Sequence, residues 1–148
     1  MHPQGEPLAD SGFEIGKDGA GLIVVGYDGT GPSRNALAYA AGLARRDHAG
    51  LLIAFVESLT SATLWFYAGA PFVPDPAGDL AEDLRDELRG IAVPWQFVAM
   101  RGDAIRALES LADASMADAI VVGRSRSMWH SVAVGLARRS RRTVLIVP

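Results

Sequence analysis

The sequence predicts an α/β domain built on an open parallel sheet of five strands, with helices on both faces. Three observations carry that expectation. Short β-branched runs such as residues 21–27 (GLIVVGY) and 51–56 (LLIAFV) are apolar from end to end, as in strands buried on both faces. Between such runs lie segments with apolar residues at helical spacing, and strands alternating with helices make a parallel sheet. Residues 120–148 (IVVGRSRSMWHSVAVGLARRSRRTVLIVP) then read in one unbroken stretch as strand, turn, helix and strand.

Residues 1–20 hold four acidic residues, four glycines and two prolines without apolar periodicity, and are expected to be a flexible tail ahead of a domain at 21–148. The first strand, 21–27, ends at Asp28, Gly29, Thr30 and Gly31. Pro32 and Ser33 open a helix, with Thr30 or Gly31 near its N-cap and proline where a missing N–H costs nothing. Ala36, Leu37, Ala40, Leu43 and Ala44 form its apolar stripe, and Gly50 follows its polar end. Residues 51–56 complete a right-handed βαβ unit. Residues 59–79 carry Trp65, Phe66, Tyr67 and Phe72 amid prolines. A loop this long either packs on a neighbouring helix or subunit or covers a ligand. A helix over about 76–89 puts Leu80, Leu84 and Leu88 on one face and Glu82, Asp83, Asp86 and Glu87 in solvent. Residues 91–100 supply a third strand after Pro94, which suits it to an edge. Asp103 caps a helix containing Ile105, Leu108, Leu111 and Ala112. A fourth strand at 119–122 enters the last turn, and Thr143–Val147 is the fifth. The whole is a Rossmann-like, doubly wound arrangement.

At 148 residues the length fits one domain around a single core. With 49% hydrophobic and 21% charged residues, the balance is that of a soluble globular chain. A net charge of −3 supplies no overall basic field for nucleic acid. Charge is uneven, however: from Arg124 onward there are six arginines and no acidic residue, so the field around the last turn is positive. The absence of cysteine excludes disulfides, a thiol nucleophile and thiolate zinc sites. No run reaches the length of a membrane span and the N-terminus lacks a signal-peptide pattern. A cytoplasmic protein without membrane or nucleic-acid partners is expected.

A turn between a strand end and a helix start is where α/β proteins hold phosphate, because free N–H groups and the helix dipole point there. The phosphate-loop pattern GxxxxGK[ST] is absent, and GxGxxG fails because Gly29 and Gly31 are followed by Arg34. Asp28 would repel a pyrophosphate at that helix. Two readings of Asp28 stand: an acceptor for ribose hydroxyls or an adenine amine, or a cap of its own turn. His2, His48 and His130 are scattered, and neither HExxH nor G-x-S-x-G occurs, so no catalytic set is recognised. The protein is expected not to be an enzyme, with slow ATP hydrolysis as the upper limit, and to hold no metal site of its own. Ser131 at the start of the last helix caps free N–H groups or hydrogen-bonds an anion that they bind. Arg124 and Arg126 either add charge-assisted contacts to that anion or face solvent. Arg138, Arg139, Arg141 and Arg142 complement the dipole at the helix end.

Three pieces together resemble the universal stress protein family over about 21–148: IVVGYDGTGPSRNALAYAAGLA, FVAMRGDAIRALESLA, and IVVGRSRS with SVAVGLARRSRRTVLIVP. The resemblance implies strand order 3-2-1-4-5, a role in stress response and a homodimer through Thr143–Val147. Members with the motif Gly, two residues, Gly, nine residues, then Gly-Ser or Gly-Thr are similar to ATP-binding proteins. Carried over, Asp28 would meet the ribose or adenine, the Val56 backbone the adenine, and Gly123 the first position of the phosphate loop. Ser131 falls on the motif's serine, His130 replaces the glycine before it, and Tyr27, Val122 and Val132 adjoin these positions. Arg126 stands where the second glycine belongs, and the loop from Gly123 to Ser131 is roughly six residues short of the motif. An alignment on Gly135 instead puts Leu136 after the late glycine and misplaces the last strand. A shorter loop supplies fewer N–H donors, and a side chain occupies space where close approach needs glycine. The expectation is weak binding of ATP, ADP or AMP at the C-terminal ends of strands 1 and 4. Arg124 and Arg126 would replace lost donors, and Mg or Mn would enter only with nucleotide. The alternative is a dimeric interaction protein that has lost nucleotide binding. The HxGH, KMSKS and SGGxDS signatures of related enzymes are absent.

Overall fold

The computed structural model describes residues 20–58, 68–69, 75–124 and 129–148, with 129–131 described by backbone alone. Among them, five strands alternate with four helices: β1 Leu22–Gly26, α1 Gly31–Asp47, β2 Gly50–Glu57, α2 Pro76–Glu87, β3 Trp95–Arg101, α3 Ala104–Ser115, β4 Ala119–Gly123, α4 Trp129–Arg139 and β5 Thr143–Val147. All four strand pairs are parallel, in the order β3-β2-β1-β4-β5. The chain thus starts in the middle of the sheet, winds outward to β3, then returns to build β4 and β5 on the other side.

Strand periodicity sorts the apolar residues into two cores. Ile23, Val25 and Tyr27 point to one face, where Ala36, Leu37, Ala40 and Ala44 of α1 and Leu84 of α2 cover them. Val24, Ala54, Ile120 and Val122 point to the other, against Leu108 and Ala112 of α3 and Val132, Ala133 and Leu136 of α4. Both faces of β1 and β4 are closed, which is why these strands read as uninterrupted apolar runs. The edge strands β3 and β5 alternate between half-buried and exposed residues instead.

Helix ends account for most departures from expectation. Thr30 is the N-cap residue of α1, but its side chain makes no capping bond. At the other end His48, not Gly50, takes the left-handed conformation, with φ 56°. Histidine tolerates that region better than most residues, which leaves Gly50 to open β2 with its N–H on the Gly21 carbonyl at 3.0 Å. Asp103 caps α3 as expected, accepting from the Arg106 N–H at 2.9 Å. Asp75 does the same for α2 through the Gly78 N–H at 3.0 Å. β3 begins after Pro94, as expected, and the Pro94 carbonyl accepts from Leu51 N–H at 2.9 Å; the strand begins only where every residue can donate. α4 opens at Trp129, so Ser131 sits in its first turn rather than at its cap. Arg142 lies beyond α4 and ties it to its neighbours, with Nε on the Ala117 carbonyl at 2.6 Å and a guanidinium nitrogen on Asp113.

The expectations for the tail up to residue 19, for the aromatic loop at 59–67 and 70–74, for Arg126, and for the side chains of His130 and Ser131 lie outside the described residues. No described helix is long and apolar enough to cross a membrane.

Candidate functional site

The chain runs from the end of β1 through α1 to β2, and from the adjacent end of β4 through α4 to β5. Divergence of two neighbouring strands opens a crevice at their C-terminal ends, the switch point where doubly wound proteins take ligands. A cleft lies there, lined by Gly26, Asp28, Thr30, Pro32, Ser33, Val122 and Gly123, with an empty volume of about 230 Å³. That figure includes space open to solvent, so the described residues outline a shallow crevice and not an enclosed cavity.

The loop on the β1 side is braced by its own polar groups. Asp28 Oδ1 accepts from the Thr30 N–H at 3.0 Å and from the Thr30 hydroxyl at 2.5 Å. The buried Ser33 hydroxyl accepts from the Asp28 N–H at 3.3 Å and donates to the Thr30 carbonyl at 3.0 Å. Gly29 takes φ 81°, and a Cβ there would stand 2.9 Å from Leu80 Cδ2, so only glycine closes this Asx-type turn. Asp28 Oδ2 has no hydrogen-bond partner among the described residues. The capping reading of this carboxylate is met through Oδ1, and Oδ2 lies beside the cleft.

Gly123 forms the opposite wall. A Cβ at this position would overlap the Pro32 carbonyl group, so the end of β4 and the start of α1 meet backbone to backbone. Arg124 continues the ladder, its N–H on the Val147 carbonyl at 2.6 Å, and its exposed side chain has no ion-pair partner among the described residues. Val122 lies on the cleft floor.

The remaining sequence-named residues are placed differently. Ala54 O accepts from Tyr27 N–H at 2.9 Å. With a period of two, the Val56 backbone faces the same side, past the end of β1, while its side chain is buried under α3. Tyr27 contributes only backbone here, because its ring is wholly buried in the α1/α2 core. Among the described residues its hydroxyl makes no hydrogen bond of good geometry, although the Arg34 guanidinium lies near it. Burial raises its pKa above 10.0, Glu87 adds to the rise, and the nearby Arg34 guanidinium pulls it back. Val132 packs in the opposite core. Thr30 was read from the sequence as a cap alone, and Pro32 and Ser33 as helix openers; their place in the cleft depends on how closely β4 approaches α1, which spacing does not show. No group of three or more His, Asp or Glu that could hold a metal occurs among the described residues.

Sheet order and crevice together define a doubly wound α/β protein with a cleft between the ends of β1 and β4. The model of the universal stress protein family matches residues 21–148, and the chain belongs to that family. Solved structures agree. A universal stress protein in complex with cAMP is 26% identical, with TM-score 0.70 over 88% of this chain and 99% of that one. A protein from Mycobacterium tuberculosis H37Rv is 27% identical, with TM-score 0.57 over 88% and 97%. The universal stress protein from Archaeoglobus fulgidus in complex with dAMP shares the fold at 20% identity, TM-score 0.64, over 86% and 97%. No curated protein matches the chain.

Proposed function

We propose that the β1/β4 cleft binds an adenine nucleotide, and that the protein acts through this binding as a cytoplasmic stress-response module. The observation that carries the proposal is the Asp28 carboxylate, fixed through Oδ1 by Thr30, with Oδ2 making no hydrogen bond among the described residues at the switch point. Such a group accepts hydrogen bonds from a ribose hydroxyl or an adenine amine, and the Val56 backbone past the end of β1 adds polar groups for the base. Two of the solved neighbours carry adenosine monophosphate derivatives, cAMP and dAMP. The short segment from Gly123 to Ser131 is in keeping with a ligand of few phosphates, and Mg or Mn enters only with a bound nucleotide. Binding without turnover is the proposed activity.

Assembly is proposed to be a homodimer through β5, whose outer edge ends the sheet and whose Ile146 is 41% exposed. Calorimetric titration with cAMP, AMP, ADP and ATP, with and without Mg²⁺ or Mn²⁺, tests the nucleotide reading. Heat is expected first with the monophosphates, and silence from all four ligands at millimolar concentration sinks it. Phosphate release from ATP above the level of an Asp28→Ala control would overturn binding without turnover.

A further inference from the structure

A second concavity lies on the other face of the sheet, between the first turn of α3 and the second half of α4. Its lining is Asp103, Ile105, Arg106, Val134, Gly135, Arg138 and Arg139, around an empty volume of about 1070 Å³. Gly135 lets α3 and α4 close up at its base, since a Cβ there would overlap Ile105 Cδ1. Three exposed guanidinium groups edge an apolar floor of Ile105 and Val134, and none of the three belongs to an ion pair among the described residues. Asp103, the carboxylate at the rim, is engaged by the Arg106 N–H. Arg142 differs from these three, being held by Asp113 and the Ala117 carbonyl. The acidic face of α2 cannot neutralise the groove, because α2 packs on the opposite side of the sheet.

We propose that the chain's own N-terminal segment, residues 1–19, docks in this groove. The segment carries Glu6, Asp10, Glu14 and Asp18 against one lysine, with Leu8, Phe13 and Ile15 between the acids. Acidic groups for three arginines and apolar groups for the floor are the chemistry that the groove lacks. The segment also lies outside the family match at 21–148, so the family's own fold does not account for it. Reach is ample. The domain begins beside α3's far end, where the Gly21 and Leu22 N–H groups bind Asp118 Oδ2 at 2.7 and 3.0 Å. Nineteen extended residues span about 60 Å, whereas twelve helical residues along α3 cover about 18 Å. Tethering supplies an effective concentration on the order of millimolar, so individually weak, exposed ion pairs suffice to populate the docked state.

The full chain holds no cysteine, so Ser11→Cys gives a single nitroxide attachment point. Paramagnetic broadening of the Ile105, Val134 and Gly135 amide signals is expected at low salt. It should fall several-fold in Arg138→Glu/Arg139→Glu and at about 1 M salt, where the screening length is only about 3 Å. A second variant, Glu6→Gln/Asp10→Asn/Glu14→Gln/Asp18→Asn, leaves the groove untouched and should abolish broadening equally. Absent broadening, or broadening indifferent to both variants, overturns the proposal. So does broadening of equal size in mixtures where nitroxide and isotope label sit on different molecules, since the occupant is then a second copy.

Discussion

Asp28 anchors its own turn with Oδ1 and leaves Oδ2 beside the cleft, so the two roles can be separated by substitution. Asp28→Asn keeps the turn acceptor and removes the charge. A hydrogen bond to a charged group is worth about 1.5–3 kcal/mol, so nucleotide affinity should drop by at least tenfold while the melting temperature barely moves. Calorimetry beside a thermal melt checks both halves. Gly123 is the converse case, a residue whose need is steric. Gly123→Ala drives a methyl into the Pro32 carbonyl, and overpacking of this kind costs roughly 1–3 kcal/mol, to be read from the urea midpoint. Tyr27 makes a pH prediction. Its pKa is raised in the fold, so the folded state keeps a proton that the unfolded state releases above about pH 10. Stability is therefore unaffected below that pH and declines as pH rises through the folded value. Tyr27→Phe should flatten the alkaline decline and cost little at neutrality, because the hydroxyl it removes is buried and makes no hydrogen bond of good geometry among the described residues. At this scale the sequence pointed to the stretch that lines the cleft but only to part of its contacts. DGTGPS reads as a helix start, whereas the contact of Gly123 with Pro32 joins residues far apart in the chain and leaves no local pattern.

Elements were more legible than residues. Strands closed on both faces have to be apolar at every position, and helices lying on them have to be apolar on one side, so GLIVVGY and the Ala/Leu stripe of α1 carry their identity openly. Boundaries were less legible, because caps turn on a single residue's conformation. His48 and Met116 both end helices with positive φ, 56° and 54°, and composition alone would assign such positions to glycine. Met116 is 80% exposed, so its side chain has little packing to lose. The left-handed region costs a non-glycine residue about 1–2 kcal/mol, and glycine's extra chain entropy takes back about 0.5–1 kcal/mol. Met116→Gly should therefore stabilise the protein by about 0.5–1 kcal/mol, visible as a higher urea midpoint at unchanged slope.

For the whole molecule, strand alternation implied a parallel sheet, but the order 3-2-1-4-5 came from family resemblance, since periodicity carries no information about which strands are neighbours. That order leaves β5 with one edge unpaired among the described residues. Val147 directs its carbonyl toward β4, where it meets the Arg124 N–H, so with a period of two the backbone groups of Val144 and Ile146 face outward. An apolar edge of this kind invites a second copy. Ile146→Pro discriminates between a dimer formed there and one formed elsewhere. It removes an outward N–H, leaves the β4 ladder intact, and occupies the kind of edge position that tolerates proline. Sedimentation should show a dimer for the unaltered chain and a monomer for Ile146→Pro, with the far-ultraviolet spectrum of the sheet retained. A variant that is folded and still dimeric would move the interface away from β5.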